Sequence, residues 1–202
     1  MTFHFVRHAQ SLANETGIIS SSFPGADISE LGKTQLLDLR NSPFPWASNI
    51  SIISSPFLRT LRTAQAINSS HTLLIDERIK ELDLGVFDGK PYDDVKQEIH
   101  RQMEIRLDGD MDVRYGETGE SQREYLTRAY SFLYDNILQD KDVIVVTHEC
   151  IITTVTSLHH DIYSSEKRRP KNCEIVSLTF EQESLDKIQR VLDKIKGLQL
   201  DS

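Results

Sequence analysis

The 202-residue sequence predicts an α/β fold, a three-layer sandwich with a mostly parallel central sheet, helices on both faces and a small helical cap. Short β-rich runs alternate with longer segments of helical periodicity along the chain, which favours parallel strands joined by helices. The run Val143–Thr147 is almost continuously apolar and β-branched, as expected of a central strand buried on both faces. Hydrophobic residues make up 38% of the chain and charged residues 27%, which is typical of an ordinary globular domain.

The predicted strands are short runs rich in β-branched and aromatic residues. They are Thr2–Val6, Ile50–Ser54, Leu73–Ile75, Val143–Thr147 and Glu174–Phe180. The last of these alternates between apolar and polar residues, which is typical of a strand with one buried face.

Helices are predicted from apolar periodicity and capping residues. Ser29 caps a helix running to about Arg40, and Ser55-Pro56 opens one to about Ile67, because serine accepts from free N–H groups and proline suits the first turn. Ser121 and Glu124 form a capping box before an apolar stripe. Further helices are predicted at Asp93–Leu107 and Glu149–Leu158, while Ser184–Lys196 fits either a helix or a further strand.

Turn-rich and polar segments separate these elements. They are Asn41–Trp46, Glu81–Gly89 and Gly109–Gly119. We find no internal repeat or linker, so residues 1–202 are predicted to form a single domain, with about 89–139 as a cap insertion over one end of the sheet.

Composition and charge exclude several classes of function. The formal net charge of −8 disfavours a nucleic-acid or anionic membrane surface. The longest apolar run, Val143 to Leu158, contains His148 and Glu149 and is too short to span a bilayer. Cys150 and Cys173 form neither a disulfide framework nor a metal-ligand spacing. We expect a cytoplasmic protein without a metal or cofactor, and the oligomeric state stays open.

Basic residues follow three predicted strands. Arg7 and His8 follow the first strand, Arg59 lies shortly after the second, and His148 follows Val143–Thr147. Ligands of open α/β sheets bind at the carboxyl ends of the strands, and free N–H groups at a helix start favour an anion. The sequence therefore predicts a local cationic pocket, suited to phosphate, on an acidic protein.

One run and several later segments carry a family resemblance. Residues 5–14 read FVRHAQSLAN, which resembles the Arg-His-Gly signature of the histidine phosphatase superfamily, which includes the phosphoglycerate mutases. Other segments resemble the family's later motifs in the same order: Ile28-Ser29 with Gly32 and Gln35, Ser54-Ser55-Pro56 with Arg59, Glu81–Gly85 with Asp88-Gly89, Gly119-Glu120-Ser121 with Arg128, and Val145–His148. The resemblance covers roughly Phe3 to Phe180 and implies the phosphatase branch.

The resemblance implies a role for each site residue. His8 would be the nucleophile that forms a phosphohistidine, and Glu81 would be the general acid and base. Arg7, Arg59 and His148 would bind the phosphoryl oxygens during catalysis, and Asn14 would add a hydrogen bond to the phosphate. No metal is implied. Candidate contacts for the rest of the substrate are Arg106, Arg114 and Arg128.

The sequence departs from the family pattern at three positions, of which the mildest is Asp88, where the family more commonly has glutamate before the glycine. Ala9 replaces the usual glycine after the nucleophile, and the small side chain should preserve the close backbone approach if its φ is negative. Glu149 stands where a glycine commonly follows the second histidine. Because a carboxylate in the pocket would repel phosphate, we predict that the Glu149 side chain points away.

Three functions fit this site. The favoured one is a phosphomonoesterase that hydrolyses a small phosphorylated metabolite, with a sugar phosphate as a candidate. A phosphoglycerate mutase would use the same phosphohistidine and return the phosphoryl group to the substrate. A non-catalytic regulatory module would bind phosphate, or a partner, without turnover.

Overall fold

The computed structural model describes residues 1–44, 46, 50–67, 73–166 and 168–197, without the side chains of residues 106 and 107. Its centre is a five-stranded sheet made of β1 (Thr2–Arg7), β2 (Ser51–Ser54), β3 (Leu73–Ile75), β4 (Val143–Thr147) and β5 (Ile175–Thr179). The spatial order is β3-β2-β4-β1-β5, and every neighbouring pair is parallel except β1 with β5. The predicted mostly parallel sheet is confirmed.

The helices of the described segments connect and cover these strands. They are α1 (Leu12–Thr16), α2 (Glu30–Arg40), α3 (Leu58–Ile67), α4 (Tyr92–Leu107), α5 (Gln122–Ile137), α6 (Glu149–Tyr163) and α7 (Leu185–Ile195). Short 3₁₀ turns lie at Glu77–Ile79, Gly85–Phe87 and Gln182–Ser184. None of the helices in these segments has both the length and the apolar character needed to cross a bilayer.

Helix boundaries differ from the predictions in several places. The predicted start of α3 at Ser55-Pro56 is wrong, because the helix begins at Leu58 and the Ser55 hydroxyl contacts a side chain of another strand end. Helix α6 continues five residues past the predicted end at Leu158. The short helix α1 was not predicted. The segment Ser184–Lys196, which fitted either a helix or a further strand, contains helix α7. This helix buries Ile188, Leu192 and Ile195 at helical spacing. Pro45, in the predicted Asn41–Trp46 loop, lies outside the described residues.

Helices cover both faces of the sheet. Successive side chains of a strand point to opposite faces, so Phe3 and Phe5 join one core cluster while Val6 joins the other. The first cluster contains buried side chains of α5, α6 and α7, and the second contains those of α2 and α3. The predicted three-layer arrangement is confirmed.

The stretch 89–139 packs in two different ways. Side chains of α4 and nearby loops form a small separate cluster around Phe87, Ile99 and Tyr115. By contrast, α5 buries Phe132 and Leu133 in the main cluster against the sheet. Helix α4 therefore packs apart from the main cluster, and the limits of a cap insertion stay a prediction.

Candidate active site

Two adjacent parallel strands bring the two predicted site histidines together. The backbone N–H of His8, just after β1, donates to the carbonyl of Thr147 at 3.0 Å, and His148 follows directly after β4. The imidazole centroids lie 5.3 Å apart. Both rings are buried, with His8 2% and His148 0% exposed. Residues distant in sequence therefore meet because their strands are neighbours in the sheet.

The hydrogen bonds of His8 define its tautomer. Its Nδ1 lies 2.7 Å from the Ala9 carbonyl oxygen, which can only accept, so Nδ1 carries the proton. Its Nε2 accepts a hydrogen bond from Arg59 Nε at 3.1 Å, and a guanidinium can only donate. His8 is therefore a neutral imidazole whose Nε2 lone pair faces the cationic end of the site.

His148 has the opposite tautomer. Its Nδ1 accepts from Arg59 Nη2 at 3.2 Å, so its Nε2 carries the proton and donates to Ser55 Oγ at 2.9 Å. Ser55 is thus a site residue that the sequence interpretation assigned to a helix cap. The signal was present, since Ser55 lies in the Ser-Ser-Pro segment before Arg59, but the contact with His148 depends on the neighbouring strand.

Arg59 connects the two imidazoles. It is 3% exposed, donates to the Ser20 carbonyl at 3.0 Å, and has its guanidinium carbon 4.8 Å from the centroid of the Phe57 ring. Gly25 has a φ of +73°, and a Cβ there would lie 2.6 Å from Arg59 Nη1, so only glycine leaves room for this side chain. The guanidinium is therefore held from several sides.

Burial and positive charge keep both histidines neutral. Burial lowers the pKa of His8 well below 6.5, and the Arg59 guanidinium lowers it further, while the hydrogen bond to Ala9 opposes these effects. Burial also lowers the pKa of His148 well below 6.5, followed by the charge of Arg59. An unprotonated Nε2 is thus available on His8 at neutral pH.

Arg7 is paired with Glu149. Its Nη1 lies 2.7 Å from Glu149 Oε2 and donates to the Pro170 carbonyl at 2.8 Å. The prediction that Glu149 points away from the pocket is wrong: the side chain lines the site cavity, because its charge is balanced by Arg7. Arg7 Nε is buried and has no acceptor among the described residues.

The Glu81 carboxyl group lies beside the His148 imidazole and the Arg59 guanidinium. Its Oε2 is 3.7 Å from His148 Nδ1 and 4.0 Å from Arg59 Nη2, and its side chain is 19% exposed. Arg128 holds this loop, since it donates to the Glu81 carbonyl at 3.0 Å and to Glu120 Oε1 at 2.5 Å. Arg128 therefore positions the backbone of the acidic loop.

Of the arginines considered as substrate contacts, Arg114 and Arg128 line a second, smaller cavity of about 350 Å³ next to the site, and both are paired with glutamates. The side chain of Arg106 lies outside the described residues. Neither of the two described arginines lines the cavity that contains His8.

Two asparagines lie near the nucleophile. Asn14 lines the cavity, and its Oδ1 accepts from the Ser11 N–H at 3.1 Å, which leaves its role toward phosphate a prediction. Asn172 Nδ2 donates to the His8 carbonyl at 2.8 Å, a contact for which the sequence carried no signal.

Ala9, the residue after the nucleophile, is buried and has no positive φ. Its backbone N–H donates to Thr63 Oγ1 at 3.0 Å, so the expected close packing is present.

The site opens into a cavity of about 580 Å³ lined by Arg7, His8, Arg59 and Glu81 at its inner end. His148 does not line this cavity, because Arg59 lies between it and the open space. Within the described parts of the chain, no cluster of three or more histidine, cysteine or acidic side chains could hold a metal ion.

Fold and site together define a class of protein: an α/β domain with two neutral histidines and two arginines gathered at the carboxyl edge of a parallel sheet. The chain belongs to the histidine phosphatase superfamily (branch 1), whose family model matches residues 3–193. This membership confirms the resemblance found in the sequence.

Individual relatives carry two kinds of name. The chain is 30% identical over 142 residues to "Probable phosphoglycerate mutase GpmB" of Shigella boydii, covering 66% of this chain and 64% of that protein. It is 32% identical over 134 residues to "Putative phosphoserine phosphatase 2" of Hydrogenobacter thermophilus, covering 65% and 64%. The match thus spans less than two thirds of the length of either relative.

Solved structures share the fold. The phosphoserine phosphatase of Entamoeba histolytica in complex with 3-phosphoglyceric acid superposes with a TM-score of 0.72 at 22% identity, covering 89% of this chain and 90% of that chain. This neighbour is named a phosphatase, as is the superfamily to which the chain belongs.

Proposed function

We propose that this chain is a phosphomonoesterase, which hydrolyses a small phosphorylated metabolite through a covalent phosphohistidine on His8. One observation carries the proposal: the Nδ1 proton of His8 is bound by the Ala9 carbonyl, which directs the Nε2 lone pair toward Arg59. A neutral imidazole beside a fixed cation is the arrangement that nucleophilic attack on a phosphoryl group requires.

In the first step, His8 Nε2 attacks phosphorus and forms an N–P bond as the ester P–O bond breaks. Arg7 and Arg59 stabilise the charge on the phosphoryl oxygens, and the guanidinium fork can bind two oxygens at once. Glu81 in its protonated form donates that proton to the departing alkoxide, and its carboxyl group lines the inner end of the cavity together with His8.

In the second step, water attacks the phosphohistidine. Glu81, now a carboxylate, takes a proton from that water, the N–P bond breaks, and inorganic phosphate leaves. His8 Nε2 regains its lone pair, and the cycle needs no metal or redox group. The product is the free alcohol and phosphate.

Arg59 must change partners during this cycle. It donates to the same His8 lone pair that attacks phosphorus, and it also covers His148 Nδ1. A phosphoryl oxygen is a charged acceptor and therefore a stronger partner than a neutral imidazole. We expect substrate binding to transfer the Arg59 hydrogen bonds from the imidazoles to the phosphoryl group, which frees the nucleophile.

The test is the variant His8→Ala, with His4→Ala as the matched control, since His4 lies on β1, the strand that leads to His8, and outside the site cavity. We expect His8→Ala to abolish phosphate release from p-nitrophenyl phosphate and to prevent the formation of acid-labile phosphoenzyme, while His4→Ala retains both. The far-ultraviolet circular dichroism spectrum should be unchanged in both variants.

Other outcomes would favour the alternatives. Near wild-type activity of His8→Ala would refute the assignment of His8 as the nucleophile. Interconversion of phosphoglycerates without release of phosphate would identify a mutase, the activity named for one relative. Phosphate binding by the wild-type chain without turnover of any ester would identify a binding module.

A further inference from the structure

The outer part of the site cavity has an apolar wall. Beyond the inner end, the apolar part of its lining includes Ile18, Leu84, Tyr92, Ile99, Met103 and Tyr115. Three of these belong to α4, where positions 92, 99 and 103 fall on one face of the helix. The same helix face therefore supplies one side of the cavity.

Part of this wall is uncovered. Tyr92 is 43% and Met103 is 45% exposed, although both are large and apolar. The Tyr92 hydroxyl lies 3.2 Å from His100 Nε2, so the ring is the part left for other contacts. Exposed apolar side chains that continue into a cavity with a few convergent polar groups are typical of a ligand site.

Charge is scarce in the outer part. Apart from the inner-end residues, including Glu149, the described lining contains one charged side chain, the exposed Arg169. A second anionic group on the substrate would lose hydration there without a buried partner. Neutral polar side chains, among them Ser11 and Thr154, also line the cavity, so single hydroxyl groups can find partners. The wall therefore opposes charged leaving groups.

We infer that the alcohol part of the substrate is apolar and about the size of one or two rings. This inference rests on the proposed phosphomonoesterase activity and names its substrate class: a phosphate ester of an alcohol with an aromatic or branched hydrocarbon body. The cavity of about 580 Å³ lies within the range that binds small organic ligands, and its inner end takes the phosphoryl group.

The first test compares esters of primary alcohols, because their leaving groups then differ little in intrinsic reactivity. We expect kcat/KM for phenethyl phosphate to exceed the value for ethyl phosphate by about 30-fold, since a buried ring removes a large apolar area from water. Glucose 6-phosphate and 3-phosphoglycerate should be no better than ethyl phosphate. A kcat/KM for either polar ester equal to that of phenethyl phosphate would overturn the inference.

The second test changes the wall itself. Met103→Gln should lower kcat/KM for phenethyl phosphate by about 5-fold more than kcat/KM for ethyl phosphate, because it replaces apolar contact with a polar group of similar length. The control is Leu37→Gln, which alters a 61% exposed leucine on α2 outside the cavity. Equal values for Met103→Gln and the wild type on both esters would also overturn the inference.

A binding measurement separates this inference from the proposed activity. If no ester is hydrolysed and no phosphoenzyme forms, the proposed function fails. Calorimetry with phenethylphosphonate and ethylphosphonate then tests whether the apolar wall binds a ring, because a binding measurement needs no turnover. Tighter binding of the phenethyl compound, lost in Met103→Gln, supports the inference, and equal binding of the two compounds refutes it.

Discussion

The inner and outer ends of the site cavity differ in how their side chains are held. At the inner end, Arg59 is buried, and its guanidinium donates to His8, to His148 and to the Ser20 carbonyl. At the outer end, Tyr92 and Met103 of α4 are partly exposed. One end is arranged by directional hydrogen bonds and the other by apolar packing.

This difference has consequences for substitution. A buried hydrogen-bond network loses more than one contact when one member changes, because the remaining partners are left unsatisfied. An exposed apolar wall loses contact area in proportion to the atoms removed. We therefore expect large effects on all substrates from the inner end, and smaller, substrate-dependent effects from the outer end.

Of the substitutions that compare the inner and outer ends of the cavity, Arg59→Lys should cause the largest loss of activity. Lysine keeps the positive charge but cannot bridge His8 and His148 or bind two phosphoryl oxygens with a planar fork. We expect kcat/KM to fall by about 10³-fold for every ester. The matched control is Arg62→Lys on the same helix, where the arginine is half exposed and 3.5 Å from Asp27. A loss of less than about 10-fold would contradict the proposed role of Arg59.

A smaller and more selective effect is expected from Glu81→Gln. Glutamine cannot donate a proton to the leaving alkoxide, so alkyl esters should slow by about 10²-fold or more, while p-nitrophenyl phosphate, with its good leaving group, should slow far less. Glu77→Gln, at a 73% exposed side chain before the same loop, serves as the control. Equal slowing of both esters would remove Glu81 from the general-acid role.

The smallest effect concerns stability and pH. The pKa of His148 is lowered in the folded chain by burial and by Arg59, whereas in the unfolded chain it lies near 6.5. Below pH 6.5 the unfolded chain therefore binds the extra proton, and the free energy of unfolding falls as the pH decreases. Between pH 7 and 5.5 this loss is about 1 kcal/mol for one such histidine.

The measurement is denaturant unfolding of the wild type and of His148→Gln at both pH values. Glutamine does not titrate, so the variant should lose about 1 kcal/mol less than the wild type over this range. His8 contributes in the same direction and is present in both proteins, as its pKa is also lowered. Parallel losses in the two proteins would show that His148 does not titrate as argued.

Periodic and capping signals predicted most of the fold. The strands Leu73–Ile75 and Val143–Thr147 have the predicted bounds, and the capping box of Ser121 and Glu124 begins α5 as expected. Such signals are local, because they depend on side chains a few residues apart. Helix α1 was missed because five residues are too few for a clear period.

The sequence interpretation failed where one residue could serve two purposes. Ser55 has the features of a helix cap, yet its hydroxyl pairs with His148 across two strands. Glu149 was expected outside the pocket on the argument of repulsion, yet Arg7 provides a partner 2.7 Å away. In both cases the competing partner is distant in the chain, so the local pattern could not rank the alternatives.

The sequence by itself determined the order of strands and helices, the family and the residue types at the strand ends, since these follow from local periodicity and motif spacing. The tertiary structure alone decided which nitrogen of His8 is free, how Arg59 joins two imidazoles, and which apolar side chains of α4 line the cavity. Those features are distances between groups far apart in the chain, and they exist only when the strands are paired and the helices packed.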